Sequence, residues 1–170
     1  MQKLIRELTP ADSIPYQQLI LNGLREHPGL FRISPEDAGE PLVPFAPNNP
    51  DAFTLGVFQE DGRLVGVVSF EREVRIKLRH KGLISRMYVS SEVSGQGIGR
   101  RLLQDAINRA KQIDGLQQIN LTVIATNAKA RHLYASEGFE IFAVEKRGLK
   151  IGSDYFDEEQ MVLHFKDPSE

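Results

Sequence analysis

The stretch Val89–Leu103, VSSEVSGQGIGRRLL, carries three glycines at alternate positions, Gly95, Gly97 and Gly99. A short apolar run precedes it, and apolar residues follow at helical spacing: Ile98, Leu102, Leu103, Ala106, Ile107 and Ala110. Because glycine costs chain entropy on folding, this density indicates that bare backbone is needed here. A strand, a glycine turn and a helix N-terminus present free amides and a partial positive charge, so the stretch predicts an anion site, with phosphate as the usual ligand.

Two common phosphate-binding motifs do not match these glycines. A dinucleotide-binding fold uses G-x-G-x-x-G, but Gly97-Ile98-Gly99 is followed by Arg100, Arg101 and Leu102, so the third glycine is missing. A P-loop needs a Lys-Ser or Lys-Thr pair after its last glycine, and none follows here. Taken alone, the glycine turn is as typical of a tight connection between a strand and a helix as of a ligand site.

The rest of the chain alternates strand and helix patterns. Strands are predicted at Leu4–Leu8, Phe53–Phe58, Leu64–Val74, Leu83–Val89, Ile119–Thr126, Phe139–Lys146 and Glu159–Phe165, and helices at Pro10–Glu26, Ile98–Ala110 and Ala128–Glu137. The turn sequence Glu60-Asp61-Gly62 predicts a hairpin, and a second hairpin is predicted near Lys77–Gly82. The order predicts a mixed α/β fold with antiparallel hairpins and one βαβ unit, in a single domain over residues 1–170.

Composition excludes several classes of site. Hydrophobic residues make up 41% of the 170 residues and charged residues 26%, which is typical of a globular domain. A net charge of −2 gives no basic footprint for nucleic acid. The chain has no cysteine, so cysteine nucleophiles and thiolate metal sites are excluded, and no metal-ligand spacing appears. Without an apolar leader or a long apolar run, we expect a soluble cytoplasmic protein that does not enter a membrane.

A second motif decides between the two interpretations of the glycine turn. It is Asn127-Ala-Lys-Ala-Arg-His-Leu-Tyr-Ala-Ser-Glu-Gly-Phe139. Together with Gly97 and Gly99, it resembles the GNAT superfamily of acyl-CoA-dependent N-acetyltransferases, whose motifs are [RQ]-x-x-G-x-[GA] and, about thirty residues later, N-x-x-A-x-x-L-Y-x-x-x-G-F. Every fixed position of the second motif is filled, by Asn127, Ala130, Leu133, Tyr134, Gly138 and Phe139. The first motif departs at Ser94, where the family usually has Arg or Gln.

The resemblance implies a GNAT-type central sheet, mixed but mostly antiparallel and flanked by helices, that binds acetyl-CoA through residues of about 83–165. The backbone from Gly95 to Arg100, including Gln96, Gly97, Ile98 and Gly99, is then expected to hold the coenzyme A pyrophosphate. The strand end Met87-Tyr88-Val89 is expected to pair with the pantetheine amides. Asn127 is expected to contact the cofactor, although an N-cap role alone would also explain it.

The same resemblance implies roles in catalysis. Tyr134 is expected to act as the general acid that protonates the leaving thiolate, since a phenol stays protonated at neutral pH. Glu71 or Glu73 is a candidate general base, but alternation on their strand is equally typical of a solvated face. The histidines, among them His80, His132 and His164, have no carboxylate partner that the sequence can place.

The sequence thus predicts an N-acetyltransferase in which a primary amine of a small molecule or peptide attacks acetyl-CoA directly in a ternary complex. A non-catalytic acyl-CoA-binding sensor or interaction module on the same fold is the alternative. The N-terminal helices and the proline-rich segment, within residues 10–52, are expected on the acceptor side, with a short helix around Ser34–Gly39. The basic hairpin Arg72–Lys81 favours an acidic acceptor, and analogy alone suggests a homodimer.

Overall fold

A computed structural model of the protein describes residues 3–39, 44 and 48–166. Within these residues, seven strands form one sheet in the order β1-β2-β3-β4-β5-β7-β6. The strands are β1 Leu4–Glu7, β2 Ala52–Phe58, β3 Leu64–Arg72, β4 Lys81–Val89, β5 Gln118–Ile124, β6 Glu140–Ile151 and β7 Asp154–His164. The helices are α1 Ser13–Glu26, α2 Ile98–Ala110 and α3 Ala128–Ser136. Short 3₁₀ turns lie at Pro10–Asp12, Pro28–Leu30, Pro35–Gly39, Ile76–Leu78 and Ser91–Val93.

The sheet is covered on both faces, because α1 packs on one side and α2 on the other. On the α2 side, Leu102, Leu103 and Ala106 are fully buried against β3 residues such as Val65 and Phe70. On the α1 side, a second buried cluster holds the side chains Tyr16, Ile20, Leu24, Leu64, Val67 and Tyr88. The two central strands β2 and β3 therefore carry near-continuous apolar sequences, as expected for strands that are buried on both faces.

The sheet opens between β4 and β5, the two neighbouring strands that run parallel. They pair only at Lys81–Leu83 with Gln118–Asn120, and beyond Leu83 they separate. A bulge in β4 accompanies the separation, since Val67 pairs with Tyr88 whereas Ser69 pairs with Ser85, which leaves two β4 residues opposite one β3 residue. Arg86, inside this bulge, has a φ of 51°. The opening places a cleft beside the C-terminal half of β4.

The mixed α/β class and the βαβ unit are confirmed, since α2 connects the parallel strands β4 and β5. The helix predicted at Ser34–Gly39 is a 3₁₀ turn over Pro35–Gly39. Pro41 and Pro47 of the proline-rich segment lie outside the described residues. No helix in the described ranges is long and apolar enough to cross a membrane.

The last two strands are longer than the predicted Phe139–Lys146 and Glu159–Phe165. They run from Glu140 to Ile151 and from Asp154 to His164, joined by a turn at Gly152, whose φ is 61°. The prediction missed the outer part of this hairpin because that part is largely exposed, so its sequence lacks the apolar alternation of a strand with one buried face.

Candidate functional site

Two adjoining cavities fill the cleft where β4 and β5 separate. The first has a volume of about 520 Å³ and lies against the glycine turn, the start of α2 and one face of α3. The second has a volume of about 340 Å³ and lies between β4, β5 and the segment Leu30–Ile33. Six residues line both cavities: Leu30, Phe31, Met87, Asn127, Ala130 and Tyr134. The arrangement can hold two ligands end to end, with their junction beside Tyr134 and Asn127.

The glycine turn presents free backbone to the first cavity. Gly95 and Gly97 have φ values of 78° and 74°, in the left-handed region that favours glycine. The first hydrogen bond of α2 runs from the Arg101 amide to the Gly97 carbonyl oxygen, 3.1 Å apart. The amides of Ile98, Gly99 and Arg100 precede that bond and have no partner within the helix. This geometry is suited to an anion.

Gly99 is explained neither by its backbone conformation nor by crowding. A methyl group added there would lie 3.6 Å from Leu133 Cδ2 and 3.7 Å from Met87 Cε, which are ordinary contact distances. Because Gly99, Leu133 and Met87 all line the first cavity, such a methyl group would occupy cavity space and leave the protein core undisturbed. The missing side chain therefore enlarges the cavity.

Tyr134 on α3 places a buried phenol at the junction of the cavities. The residue is 8% exposed, its ring contacts Phe139 edge to face, and its hydroxyl lies 3.7 Å from Met87 Sδ. Burial raises the pKa of the Tyr134 phenol to about 12, since the charged phenolate would be poorly solvated there. The group is consequently a proton donor throughout the neutral pH range.

Asn127 begins α3 and lies at the same junction. Its Oδ1 accepts a hydrogen bond from the Ala130 amide at 3.2 Å, which makes it the N-cap of the helix. The side-chain amide nitrogen is left for other contacts, and the residue lines both cavities. The N-cap role is therefore shown, and it leaves a ligand role available.

The walls of the cleft are basic. Arg100, Lys129, His27 and His132 line the first cavity, and no acidic side chain of the described residues does so. Lys129 Nζ donates a hydrogen bond to Ser94 Oγ, beside the glycine turn. Arg100 pairs with Glu137, which partly neutralises it. The described residues contain no cluster of His, Asp or Glu side chains arranged for a metal ion.

The model of the acetyltransferase (GNAT) family matches the sequence of this chain over residues 21–139, about two thirds of its length. The chain belongs to the GNAT acetyltransferase family. No curated protein matches it in sequence.

Solved structures share the GNAT fold over nearly the whole chain. An acetyltransferase of the GNAT family from Streptococcus pneumoniae superimposes with a TM-score of 0.84 at 24% identity, covering 96% of this chain and 100% of that one. The protein yncA from Salmonella typhimurium, solved with its cofactor acetyl-CoA, gives a TM-score of 0.80 at 20% identity, covering 98% and 96%. Ribosomal-protein-alanine N-acetyltransferase from Brucella melitensis gives 0.77 at 23% identity, covering 95% and 99%.

Most residues that the GNAT motifs single out lie together in the first cavity. Its lining includes Met87, Tyr88, Val89, Gly95, Gly97, Ile98, Gly99, Arg100, Asn127 and Tyr134. Gln96 differs, because its side chain accepts a hydrogen bond from Lys3 on the other side of the turn and lines a separate depression. Only the backbone of Gln96 is left to serve the first cavity.

The two candidate bases of this GNAT chain line neither cavity. Glu71 is exposed at the end of β3, where it pairs with Leu83, and Leu83 lines the second cavity. Glu73 follows the end of β3. Arg72 and Arg79 of the basic hairpin pair with Asp51, at 3.5 Å and 2.9 Å, and no residue of that hairpin before Leu83 lines a cavity.

Sequence reasoning named no individual residue in two parts of the GNAT cleft. One is the segment His27–Ile33, within the residues 10–52 that were expected on the acceptor side. Its Leu30 and Phe31 line both cavities, and its Phe31 ring lies 5.4 Å from the Tyr88 ring. The other is Arg86, which lines the second cavity from the β4 bulge. A pattern did exist for Arg86, because strict alternation would place it on the buried face of Ile84, where an arginine is unfavourable.

Proposed function

We propose that this GNAT protein transfers the acetyl group of acetyl-CoA to a primary amine of a small molecule or peptide, by direct attack in a ternary complex. One observation carries the proposal: two cavities meet at the buried phenol of Tyr134, so that acetyl-CoA and the acceptor amine can be held end to end. Holding two reactants in contact removes much of the entropic barrier to their reaction. The N-acetyltransferase from Brucella melitensis, similar in fold, supports an amine as acceptor.

The first cavity fits the donor. Free amides at the start of α2 and the cationic lining suit a pyrophosphate, and Gly99 leaves room for it. The edge of β4 from Ile84 onward has separated from β5, so Met87–Val89 can pair with an extended amide chain such as pantetheine. The neighbour yncA, which contains acetyl-CoA, supports this choice of donor. Acetyl-CoA would supply an acetyl group that is activated as a thioester.

The residues around the junction would supply the remaining chemistry. Tyr134 would donate its proton to the departing thiolate, and a β4 amide would stabilise the oxyanion. Glu71 or Glu73 stays our candidate for the base; since Glu71 pairs with Leu83 at the edge of the second cavity, it would act through water. The sequence has no cysteine to carry an acetyl group, in agreement with direct attack.

Isothermal titration tests the proposal first. We expect acetyl-CoA to bind with micromolar affinity, whereas NADH and ATP bind far more weakly, and we expect release of free coenzyme A when a panel of primary amines is added. Binding without turnover of any amine would favour the alternative, a non-catalytic acyl-CoA sensor. Absence of acetyl-CoA binding would contradict both the enzyme and the sensor.

A further inference from the structure

The segment His27–Ile33 crosses the opening between β4 and β5 and contributes to the walls of both cavities. Its Leu30 and Phe31 line both cavities, whereas the two residues that follow line the second cavity alone. Residues 31–34 lie in neither a helix nor a strand. Because the hydrogen bonds of a helix or sheet do not hold this part of the segment, its position over the cleft depends on side-chain contacts.

One of these contacts fastens the segment to β4. The centres of the Phe31 and Tyr88 rings lie 5.4 Å apart. Gly23 of α1 makes room for both rings, because a methyl group there would lie 2.9 Å from Tyr88 Cε1 and 3.0 Å from Phe31 Cζ. Carbon atoms in favourable contact are farther apart than this, so a side chain at Gly23 would displace one of the rings.

The other contact fastens the segment to β7. Arg32 donates from Nε and Nη2 to the carboxylate of Glu158, a residue that is 2% exposed. Gly148 on β6 makes room for this carboxylate, since a methyl group there would lie 2.9 Å from Glu158 Oε1. The segment is therefore fixed on both sides of the cleft, to β4 by Phe31 and to the strand beyond β5 by Arg32.

Stability alone does not explain the buried pair of Arg32 and Glu158. Taking a carboxylate out of water costs free energy that its partner must offset, and apolar residues of similar volume often serve as well or better. A guanidinium and a carboxylate do fix one relative orientation, because their hydrogen bonds are directional and lie in one plane. In this protein, the orientation that the pair fixes is that of a wall of the second cavity.

We propose that Glu158 is a positioning residue for the acceptor amine, because it holds the wall of the second cavity through Arg32. The inference rests on the proposed function, in which the second cavity binds the acceptor. Glu158 lines neither cavity, so its effect on a ligand passes through Arg32, which lines the second. Phe31 keeps its contact with Tyr88 when the pair is broken, so the acceptor should be affected more than acetyl-CoA.

Trypsin tests the attachment without any amine, because it cleaves after arginine and Arg32 must leave Glu158 to be cut. Glu158→Leu fills the buried position with apolar atoms and leaves Arg32, whose side chain is 59% exposed, in solvent. In the full-length protein, we expect this variant to be cut after Arg32 about ten-fold faster than the wild type, as followed by mass spectrometry. Glu158→Gln keeps an oxygen for the guanidinium and should be cut at an intermediate rate.

Glu159 provides a matched control for the loss of a buried carboxylate. It is the next residue of β7, is 7% exposed, and pairs with Arg131 of α3 at 2.6 Å. Glu159→Leu should leave cleavage after Arg32 within about two-fold of the wild-type rate. The inference would be overturned if Glu158→Leu did not accelerate this cleavage, or if Glu159→Leu accelerated it as much.

Steady-state kinetics with isoamylamine, a small amine for the second cavity, measures the effect on the acceptor. We expect Glu158→Leu to raise KM for isoamylamine about ten-fold, with kcat and the acetyl-CoA Kd changed less than about three-fold. Arg32→Gln should raise KM as much, and it should also lower Tm by more than about 5 °C, because it leaves Glu158 buried without its partner. Two variants of unequal stability would then share one KM.

Two kinetic results would contradict the positioning role while the enzyme remained: an unchanged KM in Glu158→Leu, or a KM that rose only in the variant with the lower Tm. Failure of the proposed function is a different result, in which the wild-type protein acetylates neither isoamylamine nor any other amine of the panel. The trypsin comparison would then decide by itself whether Glu158 holds the wall of the second cavity.

Discussion

At the scale of single residues, Tyr134 gives the most direct test of catalysis. Its hydroxyl has one weak contact, 3.7 Å from Met87 Sδ, so Tyr134→Phe should change the free energy of unfolding by less than about 1 kcal/mol. Loss of the proton donor should lower kcat about 100-fold while acetyl-CoA affinity is kept. Steady-state kinetics beside thermal unfolding measures both, and an unchanged kcat would exclude Tyr134 as the acid.

The raised pKa of Tyr134 makes a prediction about pH. Because the folded pKa, about 12, lies above the usual value of 10, the protonated phenol is favoured and its titration begins only well above neutral pH. A limb of the kcat profile below pH 9 should therefore belong to another group and persist in Tyr134→Phe. If that limb disappeared in the variant, Tyr134 would be titrating there, against the effect of burial.

Substitutions at Gly97 and Gly99 of the glycine turn, compared with Gly62 of the hairpin between β2 and β3, should separate an effect on folding from an effect on binding. Gly62 and Gly97 both have left-handed φ values and open space around them, so alanine at either should cost about 1–2 kcal/mol of stability. Gly99→Ala should leave stability unchanged or slightly raised, because its φ is ordinary and the added methyl group fits. We expect Gly99→Ala to weaken acetyl-CoA binding about ten-fold and Gly62→Ala to leave it unchanged. Calorimetry and thermal unfolding on all three variants give the comparison.

At the scale of elements, the N-cap of α3 can be tested apart from any ligand contact of Asn127. Asn127→Ala removes the acceptor for the Ala130 amide and should cost about 1 kcal/mol. Asn127→Asp keeps that acceptor but replaces the amide donor with a negative charge beside the basic cavity. If Asn127 also contacts the donor, the aspartate variant should keep its stability and bind acetyl-CoA about ten-fold more weakly. Normal acetyl-CoA binding by the aspartate variant would mean that Asn127 acts only as the N-cap of α3.

The helices and strands also show which parts of the structure can be predicted from local sequence patterns. Helix α2 was predicted after the glycine turn because its apolar stripe, from Ile98 to Ala110, is regular, and the observed helix contains the whole stripe. The cavity lining near the glycines followed from local motifs for the same reason. Arg86 was not predicted, because its position depends on a bulge relative to β3, and such a register shift arises from pairing between strands. The role of Phe31 depends likewise on a distant partner, Tyr88.

At the scale of the whole molecule, the sheet consists of two parts with a narrow connection. Strands β1–β4 and β5–β7 join through three residue pairs between β4 and β5, together with the shared core on the α2 side. The cleft follows from this narrow connection, since a full parallel pair would close it. Arg32 and Glu158 join the parts again on the other face. The position of the cleft could not be predicted from the sequence, because it depends on where β4 and β5 separate.

A ligand that fills the first cavity touches β4 on one side and α3, the helix that follows β5, on the other, so it should stabilise the molecule as a unit. At a concentration 100 times Kd, acetyl-CoA should add about 2.7 kcal/mol to the free energy of unfolding. For a chain of 170 residues this raises Tm by about 5–10 °C. NADH at the same concentration serves as the control. Hydrogen exchange should slow at the amides of Ile98, Gly99 and Arg100 and also along Met87–Val89. Slowing at the turn alone would mean that the ligand binds the helix N-terminus without pairing with β4, and the proposed position of the pantetheine would be wrong.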